Sequence, residues 1–211
     1  MTAAPQPVGD SPFASAAPEV RLVNAFTRPL DNAIATARTC YSSRIITPEE
    51  VAKDEKAREL RDRIARETYE AGHHTTLQHA TFQFTLDNVS RQVLWSFFHA
   101  HPFYNSEQVS QRYVEVKPGK VVVPRLGPAE DALYRRAVER MMASYHRLIE
   151  LLTPVAGAEY FRIFPARRKE QAKWAGGVKK KAQEIARYVL PVATFAHLYH
   201  TVSGLTLHRY H

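Results

Sequence analysis

The sequence predicts an α+β fold, a mostly antiparallel sheet packed with long helices, and two patterns carry that expectation. Thr81-Phe82-Gln83-Phe84-Thr85-Leu86 alternates at period two, the mark of a strand with one buried face. Leu133, Ala137, Met141, Tyr145, Leu148 and Leu152 recur at spacings of three and four, which makes one core-facing stripe on a long helix. No internal repeat interrupts these elements, so residues 19–211 read as a single domain.

Residues 1–18 (MTAAPQPVGDSPFASAAP) combine Ala, Pro and Ser with little to bury and are expected to form a disordered or loosely docked leader. From Glu19, EVRLVNAF alternates enough for a strand. After the break at Pro29, LDNAIATARTCY reads as a helix with Asp31 or Asn32 near its start and Cys40 at its end. Thr47-Pro48-Glu49-Glu50 offers an N-cap, a proline at the first helical position and acids against the macrodipole. A helix is therefore expected to run to Ala71 and stop at Gly72, with His73 and His74 just beyond. Asp87-Asn88 closes the strand and leads into a helix over residues 89–100.

Residues 107–116 and 120–123 are expected to be extended around a Lys117-Pro118-Gly119-Lys120 turn. The long helix is expected to end at Pro154, the next to run over residues 167–190 before Pro191, and a last one, rich in aromatics and histidine, from Val192 onward. Residues 205–211 stay inside a helical pattern without a closing glycine or proline, so the domain is expected to be C-terminally truncated or half of a longer chain.

A length of 211 residues with 45% hydrophobic and 24% charged residues is an ordinary globular balance. The formal net charge of +8 favours anionic partners: nucleic acid, an acidic membrane surface or small phosphorylated ligands. The single cysteine, Cys40, excludes a disulfide within the chain and any zinc site needing several thiolates, and it fits a reducing, cytoplasmic setting. No stretch approaches the roughly 20 apolar residues that span a bilayer, and residues 1–18 lack the features of a signal peptide, so no membrane partner is expected.

The chemistry concentrates in His99-Ala100-His101-Pro102-Phe103-Tyr104-Asn105-Ser106-Glu107-Gln108-Val109-Ser110-Gln111-Arg112-Tyr113, which is too polar to be simple core. On an extended strand Ser110 and Arg112 would share one face, and a hydroxyl beside a guanidinium fork suits a phosphate or carboxylate. The plainer alternative for such a pair is a surface salt bridge.

Ser110-Gln111-Arg112-Tyr113 resembles the end of the signature of the flavin-dependent thymidylate synthase (ThyX-type) family. That signature reads Arg-His-Arg, a serine, a polar pair such as Asn-Glu, then Ser-x-Arg-Tyr. Similar segments follow in the right order: Ala37-Arg38-Thr39-Cys40-Tyr41, Gly72-His73-His74-Thr75-Thr76-Leu77-Gln78-His79, Val89-Ser90-Arg91-Gln92 and Ala186-Arg187-Tyr188-Val189-Leu190-Pro191.

The resemblance implies dUMP or a related pyrimidine nucleotide as substrate and FAD as cofactor, with methylene-tetrahydrofolate and NADPH as co-substrates and dTMP as product. It implies no enzyme nucleophile, so Cys40 is expected to be a buried structural thiol. It assigns Gln92, Gln108, Ser110, Arg112 and Arg187 to the dUMP side, with Gln108 in the place of an acid. It assigns His73, Thr75, Gln78, His79, His99 and His101 to the FAD side.

There the sequence departs from the pattern. Gln78 stands where an acid is usual. The Arg-His-Arg positions hold His99-Ala100-His101 or Ala100-His101-Pro102, so two arginines are gone. Ser203-Gly204-Leu205 also replaces an Asn-x-Arg of the family. A homotetramer, or pairing with a second ThyX-like copy, is the assembly implied. Two other functions remain open: a catalytically degenerate partner subunit or half-domain that binds a pyrimidine nucleotide, and a basic nucleic-acid-binding module. The latter is motivated by Lys179-Lys180-Lys181, for which a solvated helix face is the plainer reading because no aromatic ladder accompanies the charges. The histidines of residues 73–79 lack a neighbouring carboxylate or thiolate, so no metal is expected.

Overall fold

The computed structural model describes residues 11–211 and places them in two compact units. The first comprises the described residues up to Pro18, Asp87–Leu94 and Gln108–His197; the second comprises Glu19–Leu86, Trp95–Glu107 and Leu198–His211. Strands β1 (Glu19–Ala25), β2 (Thr81–Ser90), β3 (Asn105–Gln108) and β4 (Phe195–Ser203) form a four-stranded sheet in the order β1-β2-β4-β3, and the pairing is antiparallel. Long helices accompany it, so the α+β expectation holds.

In the second unit, helix α1 (Pro29–Thr39) uses Pro29 at its start, and Cys40 caps its end. The thiol there is exposed, which corrects the expectation of a buried one: α1 turns its Ala33, Ile34 and Ala35 face inward, and the cap lies past that face. The helix expected over residues 47–71 is broken in two. Thr47 caps α2 (Pro48–Val51), but Asp54 then accepts the Ala57 N–H at 2.8 Å and starts α3 (Glu55–Glu70) afresh. The Arg61–Asp31 ion pair, 2.7 Å and mostly buried, ties α3 to α1. Gly72, at φ 76°, then reverses the chain in the left-handed region that favours glycine.

β2 runs past Asp87-Asn88 because Asn88 tolerates φ 55°, and α4 (Arg91–Ala100) starts only where Ser90 Oγ accepts the Val93 N–H at 3.1 Å. The helix expected from Val192 is instead β4. Its Ala196, Leu198, His200 and Val202 are buried in strict alternation, a period of two masked by the histidines and threonine among them. α7 (Gly204–Arg209) follows, and Ser203 Oγ caps it by accepting the Thr206 N–H at 3.2 Å.

In the first unit, α5 (Pro128–Ile163) passes straight through Pro154. Beyond the proline it continues against α6 (Gln171–Ala186), with Phe161 buried, so packing sustains a helix that local preference would end. Its buried face is Met142, Tyr145 and Ile149, joined by Ala186 and Leu190, whereas Leu133 is 62% exposed. The expected stripe was thus correct around Tyr145 and rotated outward at its N-terminal end. The helix expected over residues 167–190 resolves into a 3-10 segment Pro165–Glu170, α6, and a second 3-10 segment Arg187–Val189. The described part of the predicted leader is held by hydrogen bonds: the Ala14 N–H donates to Val123 O at 2.8 Å and Ser15 Oγ accepts the Val123 N–H at 2.9 Å. Residues 1–10 lie outside the described residues.

Gly204 positions part of the site. Its N–H donates to Ala80 O at 2.7 Å, and a Cβ there would stand 2.9 Å from Leu77 O and 3.3 Å from Ala80 Cβ. Helix α7 therefore meets the backbone of the 3-10 segment His74–His79 at a distance only glycine allows. Gly204→Ala is expected to destabilise the protein by about 1–3 kcal/mol, as overpacking against backbone does, read as a lower urea midpoint at unchanged slope.

Candidate functional site

The first unit holds every residue expected on the nucleotide side. At the start of α4 the amide of Arg91 donates to Thr194 O at 3.1 Å and that of Gln92 to Val192 O at 3.0 Å, which fixes both residues. The Arg91 guanidinium donates through Nη1 to Gln108 Oε1 at 2.7 Å and through Nη2 to the Val109 carbonyl. A guanidinium only donates, so the amide oxygen of Gln108 must be the atom facing it. The NH₂ of Gln108 is then left to meet a ligand.

Among the described residues no carboxylate pairs with Arg91, and its Nε is buried without a hydrogen-bond partner. Burial pulls the Arg91 pKa below the ordinary arginine value, and the positive charge of Arg187 pulls it further. Arg187 donates Nε–H to the Glu184 carbonyl at 3.0 Å and lies over the Tyr188 ring at 5.3 Å. The Glu184 carboxylate is shared between Lys181 at 3.3 Å and Arg112 at 3.4 Å. Gln108, Arg91, Arg187, Glu184 and Arg112 therefore form one linked group with more positive than negative charge. Such a group binds anions.

Ser110 and Arg112 are not on an extended strand. The N–H groups of Tyr113 and Val114 return to Ser110 O at 3.1 and 3.0 Å, and Ser110 Oγ accepts the Arg112 N–H at 3.3 Å, so the segment is a helical turn. Serine's preference for capping its own backbone overrides the alternation that would have made a strand. Gln183 anchors the turn by donating to Gln111 O at 3.3 Å. The lysine run is largely spent on neighbours: Lys179 pairs with Glu115 at 2.8 Å, and Lys180 lies 5.9 Å from the Tyr113 ring centre.

The second unit holds every residue expected on the flavin side, and the structure divides them. His73 and Thr75 line a cavity of about 580 Å³ with Arg38, Cys40 and Ser42. Gln78 lines another of about 560 Å³ with Phe103, Asn105, Thr201 and Arg209. His79 lines neither, and its carbonyl accepts from Asn32 at 2.6 Å. His99 stacks on Trp95 at 4.0 Å, and His101 packs between Phe97 at 5.3 Å and Tyr210 at 5.0 Å, so both are drawn into aromatic packing away from these cavities.

At the centre of that packing His200, 3% exposed, bonds Ser106 Oγ through Nδ1 at 2.5 Å and the Tyr210 hydroxyl through Nε2 at 2.8 Å. Phe97, Phe98 and Tyr104 surround the ring. Burial pushes the His200 pKa down, and burial followed by the neighbouring Tyr104 pushes Tyr210 up to about 12.

Residues 21–211 match the family model described as thymidylate synthase complementing protein. The chain belongs to the flavin-dependent thymidylate synthase family. A flavin-dependent thymidylate synthase of Clostridium tetani is 26% identical over 192 residues, covering 90% of this chain and 71% of that one. One from Mycobacterium tuberculosis is 31% identical over 134 residues, covering 61% of this chain, which spans only 47% of that relative's length. Among solved structures, a UMP/dUMP methylase, PolB, from Streptomyces cacaoi bound with 5-Br dUMP has the same fold at TM-score 0.61 and 20% identity, covering 91% of this chain and 75% of that one. The Helicobacter pylori enzyme ThyX complexed with FAD and dUMP matches at TM-score 0.58 and 20% identity, covering 91% and 82%. The chain is thus of an enzyme family that includes methyltransferases.

For a member of this family, sequence reasoning missed three residues. Arg91 sat inside a matched segment but was given no role, although an arginine directly before Gln92 was the available signal. Arg209 was read as part of a helix with no known face. His200 was hidden by the misassigned last element. Among the described residues no carboxylate lies against His200 to favour its charged form, and burial lowers its pKa, so the folded state prefers neutral imidazole while the unfolded chain takes up a proton below about pH 6.5. Stability should therefore be complete above that pH and fall as the pH drops below it. Urea midpoints measured between pH 5 and 8 are expected to show this slope, and His200→Gln is expected to flatten it.

Proposed function

We propose that this chain binds a pyrimidine nucleotide, with dUMP as its substrate, and takes part in the reductive methylation of dUMP to dTMP in the cytoplasm. FAD is the cofactor, and methylene-tetrahydrofolate and NADPH are the co-substrates. The observation that carries this function is the guanidinium pair of Arg91 and Arg187, half-buried at Arg91 and without a carboxylate partner there among the described residues. A phosphate dianion supplies the missing charge and accepts several N–H bonds at once. Arg112 and the Ser110 hydroxyl extend the same anion site, while Gln108 offers its NH₂ to the nucleotide and Gln92 stands one residue from Arg91.

On the flavin side, the donor sets of the two cavities in the second unit fit a flavin: hydroxyl, imidazole and guanidinium groups in one, amide, hydroxyl and guanidinium groups in the other. When bound and reduced, the flavin supplies the hydride. The protein's part is to hold the nucleotide's phosphate, fix the orientation of the pyrimidine and exclude water, which needs no nucleophile. Residues 19–211 would act as one functional domain within a homotetramer or beside a second copy, where another chain can supply the guanidinium groups that the signature segment lacks.

A second function, that of a catalytically degenerate partner subunit, is favoured by His99 and His101 being committed to aromatic packing. The flavin spectrum decides between the two. A shift of bound FAD absorbance on adding dUMP, followed by turnover, supports the enzyme; nucleotide binding without flavin supports the partner subunit. Calorimetric titration with dUMP tests the anion site itself. Arg187→Ala and Arg91→Ala are each expected to weaken binding about tenfold or more, the size of a lost charge-assisted contact, while Lys179→Ala leaves it unchanged. Wild-type protein that binds no pyrimidine nucleotide would remove the proposal.

A further inference from the structure

The second unit carries a cation that neither its own structure nor the family signature uses. Arg209 lies on α7, is exposed, and makes no ion pair or hydrogen bond among the described residues. It lines the cavity of about 560 Å³ that also receives Gln78, Asn105 and Thr201.

Phe103 lines the same cavity and is anomalous twice. It is 76% exposed, and its backbone sits at φ 75°, a region that a bulky residue occupies only when its surroundings enforce it. What enforces it is Thr206, 5% exposed, whose hydroxyl donates to the Phe103 carbonyl at 3.0 Å. Thr206 and Arg209 are three residues apart on α7 and so share a face. One hydrogen bond thus holds an exposed aromatic ring and an unpaired guanidinium on the wall of one cavity. An exposed ring offers a stacking face, the guanidinium an anion contact, and the amides of Gln78 and Asn105 directional bonds.

We infer that Arg209 is an anion-binding residue of this cavity, and that with Phe103 it forms a subsite for a planar heteroaromatic ligand bearing a phosphate, standing in for the guanidinium groups absent from residues 99–102. The inference rests on the flavin half of the function proposed above and assigns it a residue.

The full chain is titrated with FMN, FAD and lumiflavin, which has the ring system without the phosphate, with flavin fluorescence as the readout. Arg209→Ala is expected to weaken FMN and FAD about tenfold or more and leave lumiflavin unchanged, with Arg209→Lys recovering part of the loss. Phe103→Ala is expected to weaken all three. FMN affinity unmoved in Arg209→Ala, or lumiflavin lost to the same extent, overturns the assignment. Wild-type protein that binds dUMP but no flavin overturns it as well and leaves the nucleotide half of the function standing. Flavin binding that depends on Arg209 in a protein that ignores dUMP leaves the subsite standing and removes the nucleotide half.

Discussion

The Arg91 guanidinium is held by two neutral acceptors, the Gln108 amide oxygen and the Val109 carbonyl, with the charge of Arg187 nearby and, among the described residues, no carboxylate paired with either. Desolvating a cation without a counter-ion costs several kcal/mol, and a like charge nearby adds to that cost. The first unit is organised around tolerating it. Ser90 caps α4 so that Arg91 starts the helix, and Thr194 O and Val192 O fix its first amides. The Ser110 turn is pinned to α6 by Gln183, which donates to Gln111 O. The Glu184 carboxylate is divided between Arg112 and Lys181. Under the proposed function, an arriving phosphate would offset this uncompensated positive charge, so the affinity would be set by the fold in advance.

Much of this was legible in the sequence where local rules and tertiary packing agree. Thr47 and Asp31 stand at or near the helix starts they foretold, Gly72 takes the left-handed turn, and Tyr145 is fully buried at the centre of the stripe. The failures have a common cause. Pro154 should have ended α5, but burial of Phe161 and packing on α6 outweigh one lost hydrogen bond. The segment Phe195–Ser203 was read as a helix because His197, His200 and Thr201 blur its alternation, whereas the structure buries His200 as readily as Leu198 once Ser106 and Tyr210 satisfy both ring nitrogens.

The site was legible in parts for the same reason. Gln92, Gln108, Ser110, Arg112 and Arg187 lie far apart in the chain, yet all fall in the first unit: Gln108 bonds Arg91, Arg112 pairs with the Glu184 carboxylate, Arg187 bonds the Glu184 carbonyl, and the charge of Arg187 acts on Arg91. What order along the chain cannot convey is who partners whom. Only the geometry shows that Arg91 occupies the acceptor of Gln108, or that His99 and His101 spend their rings on Trp95, Phe97 and Tyr210. In either alignment of the segment the two arginines are gone, and neutral histidine does not restore their fixed charge.

The substitutions on the two sides share one pattern, charged groups replaced by neutral ones. The resemblance implies that two arginines are missing from the signature segment and a third from the place of Ser203-Gly204-Leu205, and that Gln78 and Gln108 stand at positions of acids. At Gln108 the change also frees Arg91: a carboxylate there would pair with it and neutralise the charge that a phosphate needs, whereas an amide orients the guanidinium without cancelling it. An acid at position 78 would likewise line the same cavity as Arg209 and compete for its charge. Glutamine at both positions is therefore what lets arginines from outside the signature, one at the start of α4 and one on α7, remain available to an anionic ligand.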